Sequence, residues 1–357
     1  MKILIDINHP AHVHYFRNFI KIMETKGHII KVVSRNKEIE HYLLKKYSID
    51  YIGRGIGKKG VFWKILYLLK ADFIIFKIVK IFKPDILLSF DSVYLAQVAF
   101  FTGIPHISFD DTEHATLEHL LSFPFTKHIL TPDCYTKDLG NKQIKFNGFM
   151  ELCYLHPNYF TPDKSIFTYL GIEEDEKYVI LRFVAWNASH DVGQIGLTLD
   201  EKRKLVKEVS KFAKVFISSE NELPNDLEKY QIKIPPEKMH DALYYATMFI
   251  GESGTMASEC AVFGVPTIYV NALPLMGYLK EEKEAGLLFH FKNSKGILEK
   301  AIEILKIENM KEIFQNRREK LLKDKIDVTA FMVWFIENYP KSAQMMKENP
   351  EYQNRFK

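Results

Sequence analysis

Cysteine is scarce. The chain has 357 residues and three cysteines, Cys134, Cys153 and Cys260, far apart and odd in number. That excludes a disulfide framework and fits no metal-ligand spacing. Reduced thiols in a cytosolic protein are the simplest reading. Charge of one sign is also missing: 49 Lys and Arg face 45 Asp and Glu, a net of +4. Nucleic-acid binders usually carry a concentrated basic patch and a higher pI, so no nucleic-acid partner is expected. Long apolar runs are absent as well. The longest uncharged run, Ser92 to Phe109, is broken by Gly103, Pro105 and His106, and a membrane span needs about 20 apolar residues. The opening Met1–Asp6 is too short for a signal peptide, so a cytoplasmic location is expected. Glycine (17) and proline (14) are ordinary, which leaves no low-complexity linker. Aromatics are plentiful at 13%, enough for a sizeable core.

What is present is an alternation of short apolar runs and helical patterns. Strands are expected at Lys2–Ile7, Ile29–Ser34, Tyr51–Gly53, Ile86–Ser89, Ile104–Phe109 and Ile129–Thr131, with helices between them. After a linker at 149–165 the pattern restarts, with strands at Tyr178–Trp186, Lys214–Ser218, Met248–Gly251 and Thr267–Val270. The fold class expected is therefore α/β, with two Rossmann-like doubly wound domains facing a cleft. The domains are residues 1–148 and 166–325, and helices in 326–357 are expected to pack back on the first. Ligands of such sheets bind beyond the carboxyl ends of the strands.

Five segments carry candidate chemistry. Gly251–Glu259 is a strand, a turn of small residues and a helix. Ser253 and Thr255 can cap that helix, its free N–H groups form an anion site, and Gly254 lets a phosphate approach the backbone. Glu259 lies one turn inside, where it could accept from ribose hydroxyls; an ordinary capped helix with a solvated glutamate is the alternative. Asn8–His14 gathers three of the 13 histidines, and a neutral imidazole such as His12 is placed for general base work. No carboxylate or cysteine stands nearby at metal-ligand spacing. Two acidic strand ends, Asp91 and Asp110–Glu113, belong to expected loops where carboxylates either cap helices or act on a substrate. Arg182, in the segment running to His190, could pair with phosphate or form a surface ion pair. Finally, Gly53–Gly60 is a glycine loop without P-loop context. It precedes Val61–Lys83, an apolar stretch with Lys64, Lys70, Lys77, Lys80 and Lys83 and a single acid, Asp72. Such a stretch either lies in a membrane interface or forms two buried helices whose lysines snorkel to water.

At these residues the chain resembles nucleotide-sugar enzymes of the GT-B type. Gly251–Glu259 resembles the Ser-Gly…Glu motif at which GT-B proteins bind the diphosphate and ribose of a UDP-sugar. It is most similar to that of the non-hydrolysing UDP-N-acetylglucosamine 2-epimerases, whose usual aspartate and second glycine are here Glu252 and Thr255. Pro84–His114 is similar both to those epimerases and to the lipid-linked N-acetylglucosaminyltransferase of peptidoglycan synthesis. Asp91 and Glu113 fall where the epimerases keep catalytic carboxylates. His12 falls where the transferase keeps a histidine, and Val61–Lys83 is similar in place to its membrane-association region. The epimerase His-Arg-Arg-Glu-Asn segment is replaced by Ala185-Trp186-Asn187-Ala188-Ser189-His190. The resemblance therefore implies first a glycosyltransferase. It would use a nucleotide-sugar donor, UDP-linked, and an acceptor that could be lipid-linked, in cell-surface glycan synthesis. Catalysis falls to His12, Asp91 and Glu113, and donor binding to Arg182, Ser253, Gly254, Thr255 and Glu259. No cofactor or bound metal is implied. A 2-epimerase and a non-catalytic sugar-nucleotide-binding protein are the alternatives. An anionic membrane surface and a homodimer are further partners to look for.

Overall fold

The computed structural model describes residues 1–36, 38–56, 60–184 and 196–357, apart from the side chains of residues 38, 61, 62, 64 and 65. The described chain divides into two compact units, Met1–Tyr159 with Lys325–Lys357, and Phe160–Asp324.

The first unit is built on seven parallel strands. They are β1 (Lys2–Ile7), β2 (Ile29–Ser34), β3 (Tyr51–Gly53), β4 (Ile86–Phe90), β5 (His106–Phe109), β6 (His128–Pro132) and β7 (Gln143–Phe146). They lie in the order β3-β2-β1-β4-β5-β6-β7. Strands such as Ile86–Phe90 are buried along their whole length, as a sheet covered by helices on both faces requires. Leu4, Val33 and Leu87 of the sheet pack with Ile75, Val79, Leu95 and Val98 of the covering helices. The strand order reverses between β1 and β4. That switch point is where ligands of doubly wound sheets bind.

Val61–Phe82 is one helix of 22 residues, where the sequence left open two buried helices. It buries a single stripe, Tyr67, Ala71, Ile75, Val79 and Phe82. Four-residue spacing keeps most of that stripe on one side. Among the described residues no helix is long and apolar enough to cross a membrane. The helix Val328–Glu337 belongs to the first unit and packs on the helix Pro10–Thr25. Thr329 Oγ1 donates to the Cys153 carbonyl at 2.8 Å. A Cβ on Gly148 would come within 2.6 Å of the Val328 side chain, so only glycine fits there.

The second unit has five parallel strands, β8 (Tyr178–Phe183), β9 (Lys214–Ser219), β10 (Met248–Gly251), β11 (Thr267–Val270) and β12 (Leu288–Phe291). Their order is β12-β11-β10-β8-β9, with the reversal between β8 and β10. Leu181, Ile217, Ile250 and Ile268 of this sheet pack with Leu205, Val206 and Val209 of the helix Leu199–Val209. That helix opens on a capping box between Thr198 and Glu201. The α/β class with two Rossmann-like sheets is as expected from the sequence.

Candidate functional site

In the first unit the carboxyl ends of β4 and β5 carry a cluster of acids around one histidine. Asp91 follows β4 with φ +39°, a left-handed backbone uncommon for a residue with a side chain. Its N–H donates to Ser108 Oγ at 3.0 Å and to the Phe109 carbonyl at 3.2 Å, which holds that conformation. Asp91 does not cap the next helix. Ser92 does, accepting from Leu95 N–H at 3.1 Å, so the Asp91 carboxyl is turned to other partners. Its Oδ1 accepts from Ser122 Oγ at 2.7 Å, and its Oδ2 lies 3.9 Å from His119 Nε2.

Asp110, fully buried after β5, accepts from the Tyr135 hydroxyl at 2.6 Å and lies 3.3 Å from the same His119 nitrogen. The His119 ring stacks on Phe123 with centroids 4.2 Å apart. Burial, then the neighbouring Asp110 charge, pushes the Asp91 carboxyl up to about 7, against the opposing pull of Ser122 and His119. Burial by itself would lower His119, but Asp110 and Asp91 carry it above the ordinary histidine value. Burial and then Glu151 and Asp110 push Asp111 far above the carboxylate range. A carboxyl raised to about 7 can take and return a proton at physiological pH.

The other first-unit candidates sit around this cluster. Glu113 is buried, and its Oε1 accepts from Thr136 N–H at 3.1 Å and Thr136 Oγ1 at 3.2 Å. His12 is on the first turn of the helix Pro10–Thr25, whose N-cap is His9. Its Nδ1 faces the Asn8 N–H at 3.4 Å and its ring packs on Phe90, the last residue of β4, at 4.9 Å. A proton on Nε2 is the tautomer that matches that contact. His12 and Asp91 thus leave neighbouring strands at the switch point.

Beneath them lies a network that the sequence reading missed. Arg54, in the glycine loop, is completely buried. Its Nε donates to Asp6 Oδ1 at 3.1 Å, Nη1 to the Tyr67 hydroxyl at 3.1 Å, and Nη2 to Asn8 Oδ1. Asp6 Oδ2 in turn accepts from Ser92 Oγ at 2.5 Å. The loops after β1, β3 and β4 are tied together through this one ion pair. Gly57–Lys59 of the glycine loop lie outside the described residues.

In the second unit the candidate residues also gather at the switch point. Ser253 is the N-cap of the helix Gly254–Phe263 and accepts from Met256 N–H at 3.4 Å. Thr255 is half-buried in its first turn. Gly251 is demanded by close packing: a Cβ there would meet Arg182 Cβ and the Phe249 ring at 2.7 Å. Near Gly254 stand the hydroxyls of Tyr269 and Tyr278, 3.4 and 3.5 Å from where a Cβ would lie. Glu259 is buried, not solvated, and its Oε1 lies 3.0 Å from His240 Nε2. Arg182 donates to Ser218 Oγ at 2.9 Å and to Glu220 Oε1 at 2.5 Å. Ala185–His190 lie outside the described residues. Glu252 was unexpected in its role. Its carboxylate accepts from Val184 N–H at 3.0 Å and Leu197 N–H at 2.7 Å, tying two backbone points 13 positions apart.

The chain belongs to the family described as "Protein of unknown function (DUF354)", whose model matches residues 1–339. An uncharacterized protein of Methanocaldococcus jannaschii is 28% identical over 311 residues, 84% of this chain and 90% of that one. Solved structures share the fold. A UDP-GlcNAc 2-epimerase from M. jannaschii aligns with a TM-score of 0.62 and 14% identity over 89% of this chain and 99% of that one. The glycosyltransferase SsfS6 of Streptomyces sp. SF2575 aligns with a TM-score of 0.60 and 12% identity over 95% of this chain and all of that one. The fold is that of GT-B nucleotide-sugar enzymes, as the sequence resemblance implied.

Proposed function

We propose that this protein is a glycosyltransferase that moves a sugar from a UDP-linked donor to a hydroxyl acceptor. The observation that carries the reading is the placement of the Asp91 carboxyl after β4, bonded by Ser122 and 3.9 Å from His119, where burial and the Asp110 charge push it up to about 7. In the reaction the acceptor O–H gives its proton to Asp91 as the new glycosidic C–O bond forms, and the bond from the sugar to the diphosphate breaks. Asp110, bonded by Tyr135, fixes His119 beside the Asp91 carboxyl. His12, with its proton on Nε2, serves as a donor to an anionic group, and Glu113 as a fixed carboxylate beside the acceptor.

The second unit holds the nucleotide in this reading. The departing diphosphate is stabilised by the free N–H groups and dipole at Ser253, Gly254 and Thr255, with Arg182 as the nearby cation. Glu259 receives the ribose hydroxyls. Helix N–H groups supply the charge stabilisation, so no metal is required.

A 2-epimerase is the second reading. It is favoured by two carboxylates, the half-buried Asp91 and the buried Glu113. Product analysis after incubation with a panel of UDP-sugars separates the two. Free UDP supports transfer; a changed sugar on intact nucleotide supports epimerisation. Binding without either would mean a sugar-nucleotide-binding protein.

A further inference from the structure

We propose that the outer faces of three helices of the first unit form a docking surface for an anionic lipid bilayer. The helix Val61–Phe82 buries only one stripe, and the opposite side is apolar too. Leu69 is 59% and Phe73 58% exposed. On the helix Val93–Thr102, packed beside it, Phe100 and Phe101 are 65% and 74% exposed. Their rings lie 5.4 Å apart, and Phe100 also packs on Phe125 at 5.2 Å. On the helix Thr116–Ser122, packed beside the second, Leu117 and Leu120 are 55% and 69% exposed. Exposed apolar residues met singly are normal; exposed residues of this size on three successively packed helices mark an interaction face.

The occupant is chosen by charge. Lys70, Lys77 and Lys80 are exposed on the same side of the first helix as Leu69 and Phe73. Lys77 lies over the Phe73 ring at 4.3 Å. No Asp or Glu of the three helices is exposed; Asp72 and Glu118 are half-buried. Burial further pushes Asp72 up to about 7, which thins its negative charge. Apolar side chains interleaved with lysines and free of exposed acids match the boundary between acyl chains and anionic headgroups. A second copy of the chain would set these lysines against each other, and an apolar protein partner would leave them unanswered.

The face is joined to the candidate chemistry. The seven-residue helix Thr116–Ser122 turns His119 and Ser122 toward Asp91 and Asp110, and Leu117 and Leu120 outward. One helix therefore has the proposed proton-transfer cluster on one side and the docking face on the other. This names the acceptor as a hydroxyl borne by a lipid, and in that respect rests on the transfer reading.

The test is sedimentation of the full chain with vesicles of phosphatidylcholine alone or mixed with phosphatidylglycerol. Binding is expected to the mixed vesicles, weakened but not abolished by high salt, because only the lysine part is screened. Lys70, Lys77 and Lys80 changed together to Glu should weaken it more than about tenfold. Phe101→Ser with Leu120→Ser should also weaken it, and both positions are exposed, so far-UV circular dichroism should be unchanged. A wild-type protein that stays in the supernatant with both vesicles would overturn the proposal. So would full binding by the serine variant, which would mean lysine adsorption alone, or a dimer in light scattering that the serine variant dissolves. UDP affinity measured on the same variants should not change. A wild-type chain that binds UDP but neither kind of vesicle sinks the docking face alone; a wild-type chain that binds the mixed vesicles but has no UDP affinity sinks the transfer reading alone.

Discussion

His119 Nε2 stands 3.9 Å from Asp91 Oδ2, with the buried Asp110 carboxylate 3.3 Å from the same nitrogen. Burial, and then the Asp110 charge, pushes the Asp91 carboxyl up to about 7 against the pull of Ser122 and His119. Asp91→Asn should lower turnover by about 10²–10⁴-fold while leaving UDP affinity within a factor of about two, as loss of a general base does. Steady-state kinetics beside calorimetric UDP titration checks both halves.

The same shift fixes the pH dependence. A base works when deprotonated, so kcat/KM should rise with pH and level off above about 7. For stability the sign is opposite. The folded pKa lies above the unfolded one, so the Asp91 contribution is favourable below the unfolded value and is lost as pH rises toward 7. Asp91→Asn should therefore gain in melting temperature relative to wild type at pH 8, and the gain should shrink toward pH 4. A constant difference across that range would contradict the assignment.

Arg54 and Asp6 are a fully buried pair. Burial draws the Arg54 guanidinium down, but Asp6 and the tyrosines more than offset it, leaving it raised. Removing the cation leaves the Asp6 charge without its counterion. Arg54→Met should cost about 3–5 kcal/mol in urea unfolding, and Arg54→Met with Asp6→Asn should recover part of that. A single variant as stable as wild type would mean that the network is not what fixes the loops.

Glu259→Gln keeps the size of the side chain against His240 but removes the carboxylate. UDP affinity should fall by about 1–3 kcal/mol if the carboxylate accepts from ribose. Unchanged affinity in the folded variant would remove Glu259 from the site.

Gly251→Ala puts a methyl 2.7 Å from both Arg182 Cβ and the Phe249 ring. The neighbours are Arg182 of the adjacent strand and the buried Phe249 ring of the same strand, so the strain should cost about 1–3 kcal/mol. Thermal unfolding measures it, and nucleotide affinity should drop with it because Arg182 is displaced.

Most central strands were legible because buried parallel strands are short, mostly apolar runs: Lys2–Ile7, Ile29–Ser34 and Met248–Gly251 agree to the residue. The edges were not. Gln143–Phe146 and Leu288–Phe291 are four-residue edge strands, and the first alternates exposed and buried positions, so neither stands out from a loop. The acids of the site could be read at strand ends, but His119 could not. Its partners lie 9 and 28 positions away, and only its spacing with Ser122, opposite Leu117 and Leu120, hints at an inward face. Arg54 was hidden by its glycines, which suggest a mobile phosphate loop, whereas its guanidinium is buried against Asp6. Glu252 looked like a replaced aspartate in a nucleotide motif; that it ties Val184 to Leu197 is a long-range fact that no local pattern encodes.

The most direct measurement follows the phosphorus resonances of a UDP-sugar incubated with the full chain and a lipid-borne hydroxyl acceptor in anionic vesicles. The account predicts that the sugar-linked diphosphate signal gives way to free UDP, that the sugar appears on the acceptor, and that Asp91→Asn slows both by about 10²–10⁴-fold. A UDP-sugar whose diphosphate stays intact across the whole donor panel, whether unchanged or epimerised in its sugar, would contradict it.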